Sequence, residues 1–105
     1  MKRASKTRAT VRELFREDFQ DPDFVVWFEE ERAKSEIAFR ITKARKAAGL
    51  TQAELAKRVD TTQSVIARLE SGSDRRMPSL PFLARVFAAL NKRLVLEFKD
   101  IKRAS

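Results

Sequence analysis

Apolar residues recur at helical spacing along most of this chain. Val11, Leu14, Phe15 and Phe19 share one helix face, behind a Thr10-Val11-Arg12-Glu13 stretch with capping-box spacing. This predicts a helix running to about Gln20. Asp21-Pro22 then ends it and starts another, with Asp21 as cap and Pro22 at the first helical position. The second helix opens on an aromatic cluster, Phe24, Val25, Val26, Trp27 and Phe28. It continues through Glu29 to Glu36, where only Ala33 is apolar, and regains a stripe at Ile37, Ile41, Ala44 and Ala48. Gly49 is its expected C-cap. A helix apolar at both ends and polar between predicts two docking surfaces, and Phe39 falls off the Ile37/Ile41 stripe toward the second.

Thr51 to Gly72 carries two short stripes, with Leu55 and Val59 in the first and Val65, Ile66 and Leu69 in the second. Asp60-Thr61-Thr62 interrupts them, a polar triplet suited to a turn and an N-cap. Two short helices around a tight break outline a helix-turn-helix, against the plainer alternative of two surface helices in a bundle. Ser71 to Pro78 reads as a loop. Ser79 then caps a helix with Leu80, Leu83, Ala84, Phe87 and Leu90 as its core stripe, and Phe82, Val86 and Ala89 give it a second apolar side. After a turn at Asn91 to Arg93, Leu94-Val95-Leu96-Glu97-Phe98 is β-prone and too short to stand alone. Residues 1–9 and 99–105 read as polar tails.

Charge sharpens this outline. The chain has 105 residues and a net charge of +8, with no cysteine and no histidine. Disulfides, thiolate metal sites and imidazole catalysis are excluded, and no cofactor is expected. The remaining side chains form no catalytic constellation, so an enzyme is not expected. No apolar run approaches the roughly 18 residues of a membrane span, and no signal-peptide core opens the chain, so the expected location is cytoplasmic. Glu17 to Glu31 holds seven acids and no Lys or Arg, whereas Ile37 to Ser105 holds fifteen basic residues against six acidic. One region suits phosphates, the other a basic partner.

Helix-wheel arithmetic from Thr62 turns Val65, Ile66 and Leu69 inward and Gln63, Ser64, Ala67, Arg68 and Ser71 outward. The outward face offers amide, hydroxyl and guanidinium groups, with no acid before Glu70. Gln reads adenine in a bidentate way, Arg reads guanine, and Ser contacts bases or phosphates. Double-stranded DNA is the expected partner.

The text RITKARKAAGLTQAELAKRV, TTQSVIARLESG and MPSLPFLARVFAAL resembles the Xre/Cro class of lambda-type repressors over roughly Ile37 to Leu90. The resemblance implies an all-α, lambda-repressor-like fold. Gln52 would bind a phosphate and brace the recognition helix. Thr61, Thr62, Gln63, Ser64 and Arg68 would meet DNA, and Arg75 and Arg76 would clamp phosphates. Arg45 and Glu70 would pair as a conformational lock. The family usually has Gly at the turn where this chain has Asp60, a residue that tolerates the left-handed conformation with some strain. A wider resemblance, over about Val11 to Phe98, is to HigA-type antitoxins, which partner a RelE/HigB-like toxin. It implies a dimeric antitoxin that represses its own operon at an inverted-repeat operator.

The flanks agree with that picture and leave alternatives open. Phe15, Phe19, Phe24, Trp27 and Phe28, interleaved with acids that include Glu29, Glu30 and Glu31, compose a partner-binding element for a basic toxin, or else an extra core. Leu94, Leu96 and Phe98 are expected in a strand that pairs antiparallel across a homodimer; the alternative is an edge packed on its own domain. The expected domains are 1–36 as the tail and toxin-binding extension, 37–91 as the helix-turn-helix, and 92–105 as the dimerisation strand and tail. The competing function is a stand-alone Xre-type regulator with no toxin partner.

Overall fold

The computed structural model describes residues 10–101. The basic tail expected over 1–9 and the end of the polar tail, 102–105, lie outside the described residues. The described residues divide into two compact units, 10–29 with 98–101, and Glu30–Glu97.

In the first unit, Thr10 caps α1 (Val11–Leu14) with the expected box. Its hydroxyl accepts from Glu13 N, and the Glu13 carboxylate accepts from Thr10 N. The helix does not reach Gln20. Backbone helicity stops at Phe15, and a 3₁₀ turn follows at Asp18–Gln20. Glu17 and Asp18 would have stood at the negative end of a longer helix, where acids are unfavourable. The break also lets Phe19 turn inward, 5.1 Å from Phe24 and 4.9 Å from Phe28, edge-to-face with both. Asp21 Oδ1 accepts from Asp23 N at the start of α2 (Pro22–Ala47). This 26-residue helix contributes through Glu29 to the first unit and from Glu30 to the second.

The second unit holds the core. Helix α2 ends as the sequence predicts, with Gly49 at φ +72°, Gly49 N bonded to Lys46 O and Leu50 N to Arg45 O. Helices α3 (Gln52–Arg58), α4 (Gln63–Ser71) and α5 (Leu80–Ala89) follow. Ile41, Leu55, Ile66 and Val86 are completely enclosed, with Ala56, Val59, Leu69, Leu83 and Leu90 packed around them. Truncating Ile41, Leu55 or Ile66 to Ala leaves a hole costing about 2–5 kcal/mol. Ala56 is the small residue that lets α3 approach α4.

Two expectations need correction here. The core face of α5 is Leu83, Val86 and Leu90, with Phe82, Phe87 and Ala89 half-buried; Leu80 and Ala84 are exposed. Apolar residues on both sides of the helix made its stripe ambiguous by spacing alone. The C-terminal strand is also absent: no strand occurs among the described residues, and residues 92–101 form no regular element. A strand needs a paired backbone edge, which a single chain of this fold does not supply. Leu94 packs partly against the core, while Leu96 and Phe98 are exposed.

Candidate nucleic-acid interface

The unit Glu30–Glu97 presents α4 on a short, well-capped frame. Thr51 caps α3, accepting from Glu54 N, and the Glu54 carboxylate accepts from Thr51 N. Those hydrogen bonds, the backbone one first, hold the Glu54 carboxyl below its ordinary value. The Thr-x-x-Glu spacing is itself the sequence signal for this box. The turn then places Asp60 at φ +60°, with Asp60 N bonded to Lys57 O and Thr61 N to Ala56 O. It is the cap a glycine would make, built with a residue that bears a Cβ. Thr62 starts α4 by accepting from Val65 N.

On α4, Ile66 and Leu69 are buried and Val65 is half-buried, while Gln63, Ser64 and Arg68 are exposed. Ala67 is half-exposed between them. Ser71 is also exposed, but its hydroxyl donates to Arg68 O and bonds Ser73, so it finishes the helix. Gly72 closes α4 at φ +70°. Arg75 and Arg76 lie exposed in the loop beyond, where Arg76 N donates to the Asp74 carboxylate.

A polar chain fixes this face from behind. Arg45 Nε and Nη2 donate to the two Glu70 carboxylate oxygens at 2.6 and 3.0 Å, and Arg45 Nη1 donates to Leu50 O. Gln52 Nε2 donates to Glu70 at 3.1 Å, and Gln63 Nε2 donates to Gln52 Oε1 at 3.3 Å. Four residues from α2, α3 and α4 therefore share one network, with Gln63 at its exposed end. The Glu70 side chain is only 5% exposed. Burial alone would push its carboxyl up; the hydrogen bonds from Arg45 and Gln52 and the Arg45 charge outweigh this and hold it below its ordinary value. The Arg45 guanidinium is raised, chiefly by its hydrogen bonds to Glu70. Because the one acid of α4 is nearly enclosed and ion-paired with Arg45, the exposed face of the helix carries no competing negative charge.

The first unit contains the acidic and aromatic residues. Phe19 is buried, with the Arg12 guanidinium 4.6 Å from its ring centre, and Phe24 and Phe28 are half-buried. Phe15 and Trp27 touch Phe24 at one side yet remain 43% and 53% exposed, beside exposed Val11, Leu14 and Val26. The cluster is thus both a small core and an apolar surface. In the second unit Glu31 binds Lys34 at 2.8 Å, and Glu30 is exposed.

A pair of short helices joined by a four-residue break, with an amide, a hydroxyl and a guanidinium on the outer face of the second, defines a helix-turn-helix DNA-binding protein. The helix-turn-helix family HTH_3 matches residues 41–96, more than half of the chain, and the chain belongs to that family. It is of the Xre or lambda-repressor-like type, a family of DNA-binding regulators and not of enzymes. No solved structure matches the chain. No helix among the described residues is long and apolar enough to cross a membrane.

Proposed function

We propose that this sequence-specific DNA-binding regulator is an antitoxin that represses its own operon as a homodimer. Gln63, Ser64 and Arg68 read base edges, with Thr61 and Thr62 at the helix entry. Gln52 braces Gln63, the Arg45–Glu70 pair locks α4, and Arg75 and Arg76 hold phosphates. The braced, acid-free outer face of α4 carries the DNA part of this reading.

The partner part rests on Trp27, a large aromatic left exposed within the most acidic stretch of a basic chain, and on Phe15, exposed just before that stretch. Toxins that cleave RNA present basic surfaces, and aromatic anchors ringed by carboxylates complement such a surface. A RelE/HigB-like toxin is the partner that the resemblance of the chain implies. The homodimer rests on a largely apolar groove lined by Leu80, Ala84, Ala88, Leu94 and Leu96, with Lys92 and Arg93 also lining it. A second copy there would bury Leu96 and give residues 94–98 a backbone partner, as the strand reading requires.

The test is co-expression with the RelE/HigB-like reading frame that this function places beside the gene. The toxin should co-purify with the full chain, and the Phe15→Ala/Trp27→Ala double variant should lose at least about 2 kcal/mol of toxin affinity while binding DNA normally. A double variant that still neutralises fully would remove the aromatic arm from the toxin site. Absence of any such neighbouring frame would favour the stand-alone regulator.

A further inference from the structure

Lys34 joins Arg45 as a basic residue of the second unit whose side chain is nearly enclosed. Its side chain is 12% exposed, and its ammonium makes three contacts: the Glu31 carboxylate at 2.8 Å, Asp74 O at 3.4 Å and Arg75 O at 3.4 Å. The carboxylate contact is short and the two carbonyl contacts are long, and all three acceptors lie on the protein side of the ammonium. The charge of Lys34 is therefore turned inward, away from any phosphate.

Its two carbonyl partners belong to the loop that presents Arg75 and Arg76. The other hydrogen bonds in that loop run within it or to the helix end just before it, between Ser71 and Ser73 and from Arg76 N to Asp74 Oδ1. Lys34 is the tether from forty residues upstream. A narrow crevice lined by Lys34 and Ile37 from the middle of α2, Arg68 and Leu69 near the end of α4, and Asp74, Arg76 and Pro78 marks where the loop lies against the two helices. Glu31, one turn before Lys34 on α2, balances the ammonium and fixes its rotamer.

We propose that Lys34, aimed by Glu31, is a positioning residue for DNA binding. It pins the carbonyls of Asp74 and Arg75 so that Arg75 and Arg76 face the phosphates next to the recognition helix. This deepens the regulator reading and rests on Arg75 and Arg76 as its phosphate clamp. Preordering the loop removes part of the entropy that two flexible arginines would lose on binding.

The test uses the full chain and a fluorescent random-sequence DNA duplex, since phosphate contacts act on every sequence. Lys34→Met, which keeps the aliphatic stem, should weaken binding about fivefold at physiological salt and flatten the slope of log affinity against log salt by about one. Lys34→Arg, which keeps charge and donors, should restore most of both. In an Arg75→Ala/Arg76→Ala background, Lys34→Met should change affinity by less than about twofold, because its effect passes through those residues. Full additivity in that background, or an unchanged salt slope in Lys34→Met, overturns the proposal. If Arg75→Ala/Arg76→Ala itself binds like the parent, the clamp reading falls and this proposal with it. If that variant is weakened and Lys34→Met is not, the positioning role alone falls.

Discussion

Glu70 does two things with one carboxylate: it receives both arms of the Arg45 guanidinium and an N–H of Gln52. With both side chains of the ion pair nearly enclosed, removing one partner strands a charge away from water. Arg45→Ala should therefore cost about 3 kcal/mol in urea unfolding. Arg40→Ala, which breaks an exposed contact with Glu36, should cost less than about 1 kcal/mol. Acid supplies a second readout. A carboxyl held below its ordinary value stabilises the fold fully above the unfolded-chain value of about 4.3, and loses that contribution as pH falls through the lower folded-state value. The stability of the parent should decline across that window, and Glu70→Gln should show a shallower decline. Equal acid slopes in the two proteins would mean that Glu70 is not held below its ordinary value by this network. The sequence offered Arg45 and Glu70 only by resemblance; their separation of twenty-five positions is closed by the packing of α2 on α4, which no local spacing encodes.

At the level of the element, α3, the turn and α4 form the reading head, and its two ends predict different phenotypes. Arg68 stands on the exposed face, so Arg68→Ala should erase preference at one base pair, worth about 1–3 kcal/mol, in a binding assay across operator variants. Gln52 reaches Gln63 and Glu70 from the neighbouring helix, so Gln52→Ala should weaken binding to all sequences alike. Identical base-preference profiles in both variants and the parent would remove Arg68 from the readers. This element was the most legible part of the chain, because Thr62, Val65, Ile66 and Leu69 state one cap and one buried side without contradiction. Elsewhere local rules conflicted. The Val11/Leu14/Phe15/Phe19 spacing asks for one helix, yet Glu17 and Asp18 oppose its far end and Phe19 gains more from turning onto Phe24 and Phe28. In α5 every third and fourth position is apolar on two sides, and tertiary packing chose Val86 over Leu80. Lys34 gave no local signal beyond its spacing from Glu31, since the carbonyls it binds lie forty and forty-one positions away.

For the whole molecule, the Glu30–Glu97 unit has two distinct exposed surfaces. Helix α4 exposes polar side chains, while Leu80, Ala84 and Ala88 of α5 and Leu96 beyond it remain exposed around a largely apolar groove that Lys92 and Arg93 also line. Contiguous exposed apolar surface on a basic domain favours association, and an antiparallel pair of copies would bury the groove twice through one two-fold axis. The same axis would set two recognition helices at the spacing of about 34 Å that successive half-sites present on one side of a duplex. Leu96→Asp tests this without disturbing the core, because Leu96 is 57% exposed in the single chain. The parent should sediment as a concentration-dependent dimer and Leu96→Asp as a monomer with an unchanged helical spectrum. On DNA, the monomer should bind each half of an inverted repeat independently, losing the cooperativity that couples them. A Leu96→Asp protein that still dimerises and still binds both halves cooperatively would place the dimer contact elsewhere, and a parent that stays monomeric at operator-saturating concentrations would end the two-fold reading altogether.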